Sequence, residues 1–193
     1  MSTVVKIAAF SGSSRAGSFN AALLSNAVAA ARAAGAEVTV VDLRVLDLPI
    51  YDGDLEAADG LPQAALDFKK ILRDSDGFLI ATPEHNSSYS ALLKNAIDWA
   101  SRSGKGEPAD SVFMGKTAAI LAASPGALGG LRALFALREL LQNMAVTVLA
   151  RMYGLGNAHA AFDEAGVIKD EKTAQTVTAV AQDLVSTLKK LKA

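Results

Sequence analysis

Cysteine is absent from the 193 residues, which excludes disulfide scaffolds, thiolate chemistry and cysteine-ligated metal. Histidine occurs twice, at His85 and His159, and two histidines so far apart carry no metal-ligand spacing. A serine hydrolase is equally poorly supplied, because the nucleophile-elbow pattern G-x-S-x-G does not occur. No apolar run approaches the roughly eighteen residues that a membrane helix needs. The start, "MSTVVKIAAFSGS", lacks the basic and long apolar regions of a secretory signal, and with no cysteine this fits a cytoplasmic protein. There is also no basic stripe: the formal net charge is −1, and the densest cationic stretch, "LKKLKA", suits a helix C-terminus. A nucleic-acid footprint is therefore missing.

What remains is ordinary globular material, 51% hydrophobic and 20% charged, enough for one domain over 1–193 with its own core. Apolar, β-branched runs alternate with segments at helical spacing. "VVKIAAF", "EVTVVDL", "GFLIAT", "KTAAILAAS" and "AVTVLA" read as five strands. Between and after them, helices are predicted from "FNAALLSNAVAAARAAG", which Gly35 ends, and from "LPQAALDFKKILRDS", "SALLKNAIDWASR", "LGGLRALFALRELLQNM" and "DEKTAQTVTAVAQDLVSTLKKL". "RVLDLPIYDGDLEAADG" reads as a long loop. The strands are nearly continuous in apolar residues, as in a parallel sheet covered on both faces. Five such units predict a three-layer α/β/α fold of flavodoxin-like order 2-1-3-4-5.

Ligands of such sheets bind beyond the carboxyl ends of the strands, where the strand order switches. Three loops should meet there, and they are the richest clusters of Ser, Gly, Asn and Pro: "SGSSRAGSFN", "TPEHNSS" and "SPGALGG". The first offers hydroxyls, one Arg and a helix N-terminus, which together suit an anion. It does not fit G-x-G-x-x-G, and in the P-loop pattern Ser18 stands where Lys belongs. A terminal phosphate monoester, such as that of FMN, suits it better. A plain turn with Ser18 as N-cap is the other reading. In the second loop, Pro83 fixes the path, so that amides of Glu84 to Ser87 can meet the edge of a planar ring. Asn86 and Ser87 as caps of the next helix are the alternative. In the third, Gly126, Gly129 and Gly130 let backbone pass close beneath a flat ligand, or make a tight turn. Trp99 lies at core or interface spacing with Leu92, Leu93, Ala96 and Ile97, and Lys94 with Asp98 reads as a solvated ion pair.

"SGSSRAGSFN", "PEHNSSYSALLKNAIDWASR" and "SPGALGGLRALFALRELL", in that order, resemble the NADPH-dependent FMN reductase family, which includes bacterial quinone, chromate and azo-dye reductases. The likeness runs from Val4 to about Leu149 and is looser beyond. It implies that Ser11, Ser13, Arg15, Ser18 and Asn20 hold the FMN phosphate, with Phe19 lining the cleft. It implies further that Pro83, Glu84, His85 and Asn86 wall the isoalloxazine ring, and that Ser124, Pro125 and Gly126 lie near its other edge. One departure is His85, where the family commonly has Tyr. The resemblance implies NADPH or NADH as electron donor and small molecules as acceptors. It also implies a homodimer or homotetramer, with "YSALLKNAIDWASR" and "SRSGKGEPADSVFMG" as candidate contacts. Flavin chemistry resides in the cofactor, so the lack of a catalytic constellation is expected. A flavodoxin-type electron carrier without turnover is the alternative, and the near-zero net charge speaks against the acidic docking face of such carriers.

Overall fold

In the computed structural model, which describes residues 4–103 and 111–193, alternate residues of each central strand enter opposite cores. Strands β1 (Lys6–Ser11), β3 (Gly77–Thr82) and β4 (Thr117–Ala123) lie in the middle, and β2 (Glu37–Val41) lies at one end. Ile7, Ala9, Leu79, Ala81, Ala119 and Leu121 pack beneath α1 (Phe19–Ala33) and α6 (Glu171–Leu191). Ala8, Phe10, Phe78, Ile80, Ala118 and Ile120 pack beneath α3 (Gln63–Asp74), α4 (Ala91–Ser101) and α5 (Leu131–Asn143). Every residue of β3 and β4 is buried, which is why their sequences are nearly continuous in apolar residues, with Thr only at Thr82 and Thr117, rather than alternating. All pairings are parallel, and the order is β2-β1-β3-β4-β5, the flavodoxin-like sheet that the pattern predicts.

Two details differ from the sequence reading. The fifth sheet position is shared by β5 (Thr147–Val148) and β6 (Tyr153–Leu155), both paired to β4, instead of one strand through "AVTVLA". Arg138 of α5 donates to the carbonyls of Val148 at 3.1 Å and Leu149 at 2.6 Å, satisfying backbone where the ladder breaks. The long loop after β2 contains a further helix, α2 (Gly53–Asp59), which buries none of its residues. That loop is pinned to α4: Trp99 Nε1 and Asn95 Nδ2 each donate to the Pro49 carbonyl at 2.8 Å. Trp99 is fully buried, with Tyr51 edge-on at 5.1 Å, so packing accounts for the sole tryptophan. Lys94 and Asp98 pair at 2.7 Å on the partly exposed side of α4. Among the described residues, no helix is long and apolar enough to cross a membrane.

Candidate functional site

The three polar loops converge at the carboxyl end of the sheet, and named bonds hold them there. Gly12 donates to the Ala81 carbonyl at 2.9 Å and accepts from the Ser90 hydroxyl, joining the first loop to the second. A Cβ at Gly12 would stand 2.8 Å from both Leu93 Cβ and Ser90 Oγ, so only glycine lets β1 end against α4. Asn20 donates to the Ala123 carbonyl at 2.9 Å and accepts from its amide at 2.8 Å, joining the first loop to the third. This amide is buried and braces two loops; the structure turns it toward β4 rather than toward a phosphate. Glu84 joins the second loop to α5, as described below.

Around the first loop the arrangement is rich in donors. Ser18 caps α1, its Oγ accepting from Ala21 N–H at 3.2 Å, and Ser11 Oγ accepts from Ser13 N–H at 3.3 Å. The first turn of α1, like those of α3, α4 and α5, carries no acidic residue. The helix dipole there is thus left without a protein carboxylate, as an anion site requires. Arg15 is exposed and lies over the Phe19 ring, 5.5 Å from its centroid, and Phe19 stacks on Phe162 at 6.4 Å and 9°. Phe162 belongs to a hairpin that Asn26 seats on α1 by donating to the Gly166 carbonyl at 2.8 Å. A phosphate monoester fits this cradle of hydroxyls, amides and one exposed cation.

Pro83 to Ser88 form a tight turn. His85 N–H donates to the Ser88 carbonyl at 2.8 Å and Ser88 N–H returns to His85 at 3.1 Å. Between them Asn86 and Ser87 adopt left-handed φ of 50° and 68°, a conformation that Ser rarely tolerates and that functional loops often retain. The cap of α4 is Ser90, accepting from Leu93 N–H at 3.2 Å, so neither Asn86 nor Ser87 serves as one. The turn engages the amides of His85 and Ser88, while Asn86 and Ser87 form its apex. Glu84 points back. Its carboxylate pairs with Arg132 and accepts from Arg132 N–H at 3.1 Å, replacing the side-chain cap that Gly130 cannot give α5. Burial works to raise the Glu84 pKa, but Arg132 and the helix amides outweigh it and hold it below the ordinary value.

In the third loop Ser124 Oγ accepts from Gly126 N–H at 3.2 Å, and Pro125 and Gly126 are exposed. Gly129 and Gly130 turn their missing Cβ toward the protein itself. A Cβ at Gly129 would meet Gly154 backbone at 2.5 Å, and one at Gly130 would meet Ala122 Cβ at 2.7 Å, so both glycines close the loop onto the protein itself. A cavity of about 570 Å³ is lined by Ser11, Ser13, Arg15 and Ser18 of the first loop and continues along residues of α1 and β2. Sequence reasoning missed Ser90, Arg132, Phe162 and the Gly154–Gly129 contact. Ser90 alone carried a signal, being the hydroxyl just before the apolar periodicity of α4 starts. His159 is exposed on a short 3₁₀ turn, and no metal-ligating cluster occurs among the described residues.

Residues 5–160 match the model of the NADPH-dependent FMN reductase family. The chain is 37% identical over 193 residues to an NAD(P)H-dependent FMN reductase of Pseudomonas aeruginosa, covering all of both chains. It is 36% identical over 192 residues to the NAD(P)H:quinone oxidoreductase of Solanum tuberosum, covering 98% of this chain and 95% of that one. Among solved structures, the flavoenzyme NAD(P)H:(acceptor) oxidoreductase FerB of Paracoccus denitrificans aligns with a TM-score of 0.82 and 31% identity, over 97% of this chain and 98% of that one. With its parallel sheet, its donor-rich first loop and these relatives, the chain belongs to the NADPH-dependent FMN reductase family.

Proposed function

We propose that the protein is an FMN-dependent oxidoreductase that takes two electrons from NADPH or NADH and passes them to small acceptors, quinones foremost, with chromate and azo compounds in the same class. The observation that carries this reading is the first loop, a cradle of donors at an acid-free helix N-terminus, within a chain of this family. Ser11, Ser13, Arg15 and Ser18 hold the FMN phosphate. Phe19 backs Arg15. Asn20 fixes the distance between the first and third loops through Ala123. The turn at Pro83 to Asn86 lies along the ring, with its strained apex at Asn86 and Ser87 exposed, and His85 leans on the ring from its exposed position. Ser124, Pro125 and Gly126 border the other edge. Bound here, FMN would supply the redox chemistry, hydride acceptance at its ring N5 and return of the electrons to an acceptor. The protein's part is to orient donor and acceptor in turn on one open face.

Quinone reductase names among the relatives favour quinones as acceptors. The test is a visible spectrum of the purified protein and of its acid filtrate, followed by NADPH and NADH oxidation with a benzoquinone. A flavin spectrum, FMN in the filtrate and steady turnover are expected. A protein that neither carries nor binds added FMN overturns the reading, and one that binds FMN without turnover is an electron carrier.

A further inference from the structure

FMN ends at its phosphate, yet the cavity does not. From the first loop it continues between α1 and β2 as far as Arg32, about 16 Å along the helix from Ala21 at the α-helical rise. With its phosphate in the first loop and its ring against the second and third, as proposed above, FMN leaves this groove unfilled. Its floor is apolar, formed by Leu24 and Val28, and Val40 stands opposite, 53% exposed on the end strand of the sheet. Its upper rim carries Asp42 and Arg44, directly after β2. Arg44 grips Asp42 in a fork, Nε to Oδ1 at 3.1 Å and Nη2 to Oδ2 at 2.7 Å. The order of parts, an anion loop after the first strand, a helix, and a carboxylate at the end of the second strand, is shared with βαβ units that hold the ribose of a dinucleotide, although this loop lacks their G-x-G-x-x-G spacing.

We infer that this groove binds the adenosine end of a dinucleotide, with the base between Val40 and the Leu24–Val28 face of α1 and the ribose hydroxyls donating to Asp42. The inference rests on the flavin reading above. Two dinucleotides present this chemistry. In FAD the adenylyl group continues from the phosphate held by the first loop. In NADPH or NADH the adenosine descends into the groove while the nicotinamide lies over the flavin.

Ser25 and Ala29 are exposed on the groove side of α1, so Ser25→Trp or Ala29→Trp plugs the groove without entering the core. Apoprotein is titrated with FMN and with FAD by flavin fluorescence. KM and kcat are measured with NADPH and with reduced nicotinamide mononucleotide, which lacks adenosine. If FAD is the occupant, the plug weakens FAD by about tenfold or more and leaves FMN nearly unchanged, and Asp42→Ala weakens FAD in the same direction. If the pyridine nucleotide is the occupant, the plug raises KM for NADPH at constant kcat and leaves the mononucleotide unaffected. Unchanged FAD affinity together with unchanged KM for NADPH overturns the groove while leaving FMN chemistry intact. If wild-type protein binds no FMN, the functional reading fails by itself. NADPH binding by calorimetry then decides the groove, with loss in Ser25→Trp supporting it and no difference from wild type overturning it.

Discussion

Arg15 is the one cation in the first loop, and its guanidinium rests on Phe19, with no ion pair to a carboxylate among the described residues. A stacked arginine keeps its donors available and costs little to swing onto a phosphate. Arg15→Ala should therefore weaken FMN binding by about 10- to 100-fold, the range of one charge-assisted hydrogen bond, with the melting temperature of the apoprotein unchanged. Flavin fluorescence titration measures it, and full FMN affinity in the variant removes Arg15 from the site. Glu84 acts differently, on the framework. Its folded pKa lies below the ordinary 4.5 because Arg132 and the α5 amides outweigh burial. A depressed folded pKa means that the stabilisation is fully present above the unfolded value and is lost as pH falls through the folded one. The wild type should thus melt above Glu84→Gln at pH 7, and the gap should close below about pH 4.5. A gap independent of pH between 7 and 3 would show that charge on Glu84 does not matter.

At the scale of elements, backbone contact decides the geometry of the third loop. Gly129 has φ of 61°, and its missing Cβ leaves room for the Gly154 backbone, which approaches within 2.5 Å of where that atom would be. Gly129→Ala combines left-handed strain with a clash against main chain that cannot rotate away. The expected cost is on the order of 3 kcal/mol, or about 6 °C or more in melting temperature for a chain of this size. Thermal melts of the apoprotein check it, and a drop under about 2 °C would mean that the loop relaxes freely. These elements were unequally legible in the sequence. Strands β1, β3 and β4 announce themselves because both faces are buried along their middles, so the interior runs Ile7–Phe10, Phe78–Ala81 and Ala118–Ala123 are apolar without alternation. The break between β5 and β6 is invisible, because it depends on Arg138 reaching across to Val148 and Leu149. Helix α2 went unread because it buries nothing and so leaves no hydrophobic period. The loops of the site were legible by composition and by their place after strands. The internal partners of Glu84 and Asn20 were not, since each lies far away in sequence: Arg132 for one and Ala123 for the other.

At the scale of the whole molecule, the question is what covers the loop pinned to α4. Trp99 and Asn95 hold Pro49 tightly, yet the neighbouring Ile50 and Val45 are 86% and 75% exposed. A rigidly held segment that presents large apolar side chains to water is unusual for a lone domain and usual for an assembly surface. We propose that this strap and α4 together form the subunit contact of a homodimer or homotetramer, beside the first two loops. The other contact candidate, "SRSGKGEPADSVFMG", lies in part outside the described residues. In a two-fold contact each side chain appears twice, so one substitution is felt at two places. Ile50→Glu removes an apolar anchor of about 1.5–3 kcal/mol per copy and brings a carboxylate into the contact in each subunit. The monomer should remain folded, because Ile50 makes no part of the core. Sedimentation should therefore find the wild type as a dimer or larger and Ile50→Glu as a monomer with an unchanged melting curve at low concentration. A wild type that sediments as a monomer at micromolar concentration sinks the interface altogether. A variant that stays assembled moves the contact elsewhere, to the apolar cluster of Leu128, Leu131 and Phe135 at the start of α5.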